Sequence, residues 1–154
     1  MDYGKSFEKR FKIDWINTFP NSSITRLYDT TAGYKTIKNK CDFICYVYPF
    51  QFFIECKAHA GASLPLGNIT QYEDLVKESG KPGIRAGIIL WLYEKDKVYY
   101  VPIQTIKKLK ENNIKSVGLK TFNQKYDIIE IPAKKLVRFM QCDFSCMMNL
   151  EDGQ

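Results

Sequence analysis

The sequence predicts an α/β fold in which a mixed β-sheet is flanked by α-helices. Three observations carry that expectation. The chain opens on a helical repeat, with Phe7, Phe11 and Trp15 at i, i+4 and i+8 and charges between them. Two pairs of apolar strands follow, one turning around Pro49 and the other through Glu94-Lys95-Asp96-Lys97. Helical stretches separate and follow these pairs, the alternation of an α/β chain. At 154 residues and 45% hydrophobic content there is apolar surface for one proper core. No repeat, linker or low-complexity tract argues for a second unit, so residues 1–154 are read as a single domain.

The first helix is expected over residues 3–18, stopped by Pro20-Asn21-Ser22-Ser23. Residues 24–28 read as a short strand. Residues 29–40 have no apolar periodicity and contain Thr30-Thr31-Ala32-Gly33, so a loop is expected there. Strands over 43–47 and 51–57 form the first hairpin. A helix over 69–78 ends at Gly80-Lys81-Pro82-Gly83. Residues 86–92 are apolar throughout and predict a strand covered on both faces, which turns into a strand over 98–101. Pro102 starts a basic helix with Ile103, Ile106 and Leu109 on its apolar face. A Lys-rich irregular region and a short strand at 128–131 complete the order α-β-β-β-α-β-β-α.

The first hairpin carries the chemistry. Asp42 stands at the head of one strand and Glu55-Cys56-Lys57 at the foot of the other. Successive strand side chains alternate faces, so Glu55 and Lys57 point one way and Cys56 the other. Charges at the end of so apolar a strand need a use to offset their desolvation. Two carboxylates beside an ammonium suit a hard divalent cation and a water, the equipment for phosphodiester hydrolysis. Lys57 would orient the attacking water, deprotonate it or stabilise the transition-state charge; position alone does not separate these roles.

The ordered set Asp42, Glu55-Cys56-Lys57, Ser63-Leu64-Pro65-Leu66-Gly67-Asn68 and Gln71, with Gly4-Lys5-Ser6-Phe7-Glu8 at the start, resembles the RecU-type Holliday-junction resolvases of the PD-(D/E)xK nuclease superfamily. The likeness covers roughly residues 3 to 106. It implies a restriction-endonuclease-like core, a Mg²⁺ or Mn²⁺ cofactor, a homodimer, and four-way or other branched DNA as substrate. It implies cleavage that leaves a 5′-phosphate and a 3′-hydroxyl during recombination and repair. Carried over by position, Asp42, Glu55 and the Cys56 backbone carbonyl would hold the metal. Glu8 would reach it directly or through water, and Gln71 would hold the lysine or a phosphate. His59 could touch a phosphate or a metal-bound water. Ser63 and Asn68 could grip the DNA backbone, or serve only turn and cap chemistry. Family members carry a long basic stalk between the first strands; here the connection is only 29–40, with Lys35, Lys38 and Lys40 as its charges. Junction specificity is therefore weighed against another structure-selective or nicking nuclease, and against a non-catalytic DNA-binding recombination accessory protein.

The net charge of +6 is uneven. Residues 107–138 carry nine basic and three acidic side chains, a block that fits phosphate contacts and equally a solvated lysine-rich face. Met1-Asp2-Tyr3-Gly4-Lys5 leads into an amphipathic stretch and not an apolar one, so neither a secretory leader nor a membrane partner is expected. Five cysteines, an odd number and mostly in or beside buried strands, predict free thiols in a reducing cytoplasm, that of a bacterial host cell. Cys41 and Cys45, if extended, lie about 13 Å apart at ~3.3 Å per residue, too far to share a zinc ion. Gly80-Lys81-Pro82-Gly83 lacks the spacing of a phosphate-binding P-loop, and the single histidine, His59, has no partners for a serine-type triad.

Overall fold

The structure is a computed structural model that describes residues 2–124 and 126–150. Helix α1 (Tyr3–Thr18) begins where Asp2 caps it, its carboxylate accepting from Lys5 N–H at 3.1 Å. Phe7, Phe11 and Trp15 are buried as their spacing requires. Strand β1 (Ser23–Arg26) follows. Residues 29–40 are not a loop: β2 (Thr30–Ala32) and β3 (Lys35–Ile37) pair as an antiparallel ribbon turning at Gly33, whose φ is +65°. The β-branched Thr30, Thr31, Thr36 and Ile37 favour extension. The strands of this ribbon project into solvent, so no burial pattern marked them in the sequence.

Strands β4 (Phe43–Val47) and β5 (Phe50–His59) form the first hairpin, and β5 runs two residues past the expected end. The stretch after it contains β6 (Ser63–Pro65) and a 3-10 turn at Leu66–Asn68. Gln71 is the N-cap of α2 (Tyr72–Ser79) and not a residue of its first turn. Next come β7 (Ile84–Leu92), β8 (Lys97–Pro102) and α3 (Ile103–Glu111). The Lys-rich region contains β9 (Ser116–Gly118) and α4 (Leu119–Phe122), the strand expected at 128–131 is β10 (Ile129–Glu130), and β11 (Ala133–Lys135) follows. Strand β12 (Met140–Cys142) and a 3-10 turn at Ser145–Asn149 close the described chain.

The main sheet has the order β1-β4-β5-β7-β8-β10, with β5 and β7 parallel and the other neighbours antiparallel. Alternation along β5 divides the core. Phe52, Ile54 and Cys56 pack with Phe7, Phe11 and Trp15 of α1 and with Phe144 and Met147 of the C-terminal segment. Phe53 faces the other side, with Leu75 of α2 and Ile106 and Leu109 of α3. Glu55 and Lys57 continue that second face.

Two polar side chains tie α1 to residues 142–144. Asp14, 1% exposed, takes Arg10 Nη2 at 2.7 Å on one oxygen and accepts from Cys142 N–H at 2.9 Å on the other. Thr18 Oγ1 accepts from Phe144 N–H at 3.3 Å one helical turn on. Asp14→Ala leaves a buried N–H and a half-buried guanidinium without their acceptor. A loss of about 3 kcal/mol is expected in urea unfolding, against under about 1 kcal/mol for Lys12→Ala on the exposed face.

Candidate active site

Strand β5 outlasts its antiparallel partner. The register with β4 ends at Phe43 opposite Ile54, yet β5 continues to His59. Asp42 occupies the place where the ladder stops. Its backbone N–H donates to Ile54 O at 3.1 Å, and its Oδ2 accepts from Cys56 N–H at 2.9 Å. A side chain thus substitutes for the next residue of β4. In an extended strand the N–H and C=O of one residue leave on the same side. The Cys56 carbonyl therefore leaves β5 on the side that Asp42 occupies.

Glu55 is 3% exposed, an unusual position for a carboxyl. Its Oε1 lies 3.9 Å from Lys57 Nζ, while its Oε2 is sealed from solvent and meets no hydrogen-bond donor among the described residues. Burial, with the neighbouring Asp42 carboxyl, pushes Glu55 up to about 9 against the pull of Lys57. The site stores an unmet demand for positive charge.

Glu8 is joined to this group through a residue the sequence reading passed over. Arg26, at the end of β1, donates from Nη2 to Glu8 Oε2 at 2.9 Å. Its Nη1 lies 3.1 Å from Asp42 O and 3.5 Å from Asp42 Oδ1, and also donates to Leu27 O. Burial and the Asp42 charge raise the Glu8 pKa while Arg26 opposes them. In the sequence Arg26 is only one charged residue of a short half-exposed strand. Its partners come from α1 and from the residue before β4, so no local signal marks it.

Among the described residues no three His, Cys, Asp or Glu side chains stand close enough to hold an ion by themselves. The donors here are two carboxylates, Asp42 and Glu55, and the Cys56 backbone carbonyl. That set, with one carboxylate oxygen orphaned, fits Mg²⁺, which keeps several waters and uses few protein ligands.

The remaining expected site residues lie around this centre without being drawn into it. Gln71 accepts from Thr70 Oγ1 at 2.9 Å. His59 is half-buried at the end of β5, Ser63 sits in β6 opposite Gly118, and Asn68 is exposed. Lys35 and Lys38 are exposed on the β2–β3 ribbon and its flank. Lys40 instead reaches back to Glu78 Oε1 at 3.4 Å, over the Phe53 ring. The basic block at 107–138 is not one surface: α3 packs with α2 on one face of the sheet, while β11 pairs with β12 beside α1. Several of its cations are already engaged, Lys110 over Tyr72 and Lys108 with Asp127 at 3.8 Å. All five cysteines are free. Burial drives the Cys56 thiol well up and Cys41 to about 12, so neither is a nucleophile at neutral pH.

The raised Glu55 pKa has a measurable consequence. In the metal-free folded protein Glu55 keeps its proton to about pH 9, whereas an ordinary glutamate loses it near 4.5. Between those values the folded state binds more protons than the unfolded one, so stability is full below the window and falls as pH rises through it. Thermal unfolding in EDTA should show Tm declining across that range. Added Mg²⁺ should raise Tm more at the alkaline end, and Glu55→Gln should flatten both trends.

Comparison with known proteins gives the family and the fold. The family RecU, recombination protein U, matches residues 9–143. Among solved structures, Hjc of Archaeoglobus fulgidus, a Holliday junction resolvase from an archaeal hyperthermophile, superposes with a TM-score of 0.50 and 19% identity. That match covers 66% of this chain and 78% of the other. At that identity the likeness is one of fold, a restriction-endonuclease-like mixed sheet flanked by helices. No curated protein matches the sequence. With the match spanning most of its length, the chain belongs to the RecU family.

Proposed function

We propose that the protein is a divalent-metal-dependent endodeoxyribonuclease that resolves four-way DNA junctions by paired nicks during recombination. The observation that carries this reading is the buried Glu55 carboxylate, with one orphaned oxygen, between Asp42 and Lys57. Membership in the RecU family and the fold shared with an archaeal resolvase support it.

Asp42, Glu55 and the Cys56 carbonyl would hold the ion, Mg²⁺ or Mn²⁺. When bound, it supplies positive charge to the scissile phosphate and lowers the pKa of a coordinated water. Asp42 stays in place because Cys56 N–H and Arg26 both hold its oxygens. Glu8 is held by Arg26, which also contacts Asp42, and would reach the ion directly or through a water. Lys57, 24% exposed on its side chain, can turn from Glu55 toward the phosphate or the attacking water. Gln71, His59, Ser63 and Asn68, which follow the lysine between the end of β5 and the start of α2, would meet the DNA backbone. Lys35 and Lys38 on the ribbon would do the same from the β1 side. Resolution by two symmetric nicks needs two such centres related by a two-fold axis, so the working form is a homodimer. The domain spans residues 1–154, and the protein acts in the cytoplasm of a bacterial host. No helix is long and apolar enough to cross a membrane among the described residues.

The test is cleavage of a labelled four-way junction beside linear duplex and flap DNA, in Mg²⁺ and in EDTA. Symmetric paired nicks on the junction alone are expected. Lys57→Ala should lose about 100-fold or more in rate. Arg26→Ala, which frees Glu8 and Asp42 from each other, should lose ~10–100-fold and need more Mg²⁺ for half-maximal rate. Equal cutting of duplex or flap would remove junction specificity. DNA binding without Mg²⁺-dependent cutting would replace the nuclease with an accessory protein.

A further inference from the structure

On the α1 face of the sheet, at the end where β5 and β7 finish, two tyrosines lie flat on one another. The rings of Tyr3 and Tyr93 are 3.9 Å apart at an interplanar angle of 2°. Both stand edge-on to the buried Trp91, at 5.8 and 5.6 Å. Both remain half-exposed. They form one wall of a cavity of about 360 Å³ whose other wall is the β11–β12 turn, contributing Lys135, Val137 and Arg138. Val137 is 95% exposed. Arg138 is exposed and makes no ion pair or hydrogen bond with the described residues, whereas Lys135 is paired with Asp96.

This combination is not explained by the core. A valine and an arginine at the tip of a two-stranded ribbon bury nothing in the chain itself. A stacked aromatic pair at a cavity mouth, with an unpaired guanidinium opposite, matches what an unstacked nucleotide needs. The base finds a π-face, and the phosphate a planar cation. The volume lies at the small end of ligand cavities, ~300–1,000 Å³, too small for a duplex end.

The pocket is also near the cleavage centre. Trp91 pairs in register with Ala58, the residue after Lys57, and Tyr93 N–H donates to His59 O at 3.2 Å. Phe7, adjacent to Glu8, packs on Trp91 at 5.4 Å. The two sites occupy the same end of the sheet, one on each face.

We propose that this pocket captures a single unpaired nucleotide of the DNA substrate, its base on the Tyr3–Tyr93 pair and its phosphate on Arg138, with Val137 closing over the base. This rests on the reading of the protein as a DNA nuclease and deepens it: the preferred substrate carries an unpaired base close to the point of cutting.

The test is fluorescence anisotropy of the full-length protein in EDTA. The probes are a thymidine oligonucleotide of about ten nucleotides and a blunt-ended linear duplex with no unpaired base, since single-strand sites span about 4–16 nucleotides. Tyr93→Ala should weaken oligonucleotide binding about 10-fold while Tyr93→Phe retains it. Arg138→Ala, on an exposed tip where folding is not at stake, should weaken it several-fold and flatten the salt dependence by about 0.7 in log–log slope. Duplex affinity should change much less in all three. Unchanged oligonucleotide binding in both alanine variants would overturn the proposal, as would equal losses for oligonucleotide and duplex. Because no metal is present, the assay is independent of cleavage. Selective losses in a protein that never cuts DNA would sink the nuclease reading and leave the pocket standing.

Discussion

The arrangement of the site depends on a mismatch of strand lengths. Strand β4 stops at Phe43 while β5 carries on past Ile54 toward His59, and the exposed edge of β5 must find partners for its backbone groups. Asp42 answers for Cys56 N–H with a carboxylate oxygen. That single hydrogen bond puts an acid beside Glu55, fixes its rotamer, and leaves a carbonyl on the same edge. On the other side β5 is held along its whole length by parallel pairing with β7, from Gln51 opposite Ile84 to His59 opposite Leu92. One edge is held by a full strand ladder and the other by the Asp42 side chain. The carboxyl of Glu55 is tolerable in this interior only because it carries a proton or a cation.

Much of this was legible in the sequence. The spacing of Phe7, Phe11 and Trp15 fixed the buried face of α1, and the apolar run at 86–92 announced a central strand. The pair Glu55 and Lys57 revealed its common face because strand alternation is local. What was not legible shares one cause: it depends on partners far away in the chain. The ribbon at 30–37 has no buried face to imprint a pattern. Strand β6 exists because β9, some fifty residues on, pairs with it. Arg26 gains its role only when α1 and the residue before β4 converge on it. The site residues themselves were placed together by the family resemblance more than by any spacing rule.

Charge proved a poor guide to surface. The basic block at 107–138 is split between the two faces of the sheet, with several of its lysines paired to nearby acids. The described cations of that block, Arg138 at its end included, are exposed on separate elements, as are Lys35 and Lys38 on the β2–β3 ribbon and its flank. A net charge reports how strongly a protein is attracted to a polyanion, and the fold decides where that attraction is spent.

The contact between β6 and β9 has an architectural consequence. Gly118 lies so close to the stretch after β5 that a Cβ there would collide with the Ala62 carbonyl and stand 2.7 Å from Ser63 Cα. Leu119 N–H donates to the same Ala62 O at 3.0 Å, and Leu66 N–H is held by Lys115 O at 2.9 Å. The segment that follows the lysine is therefore braced by residues 115–119, not hinged. Nearly all the catalytic candidates lie before residue 72, yet a chain shortened to that half would release the strap that shapes their approach. The second half of the chain cannot be trimmed without loosening the first.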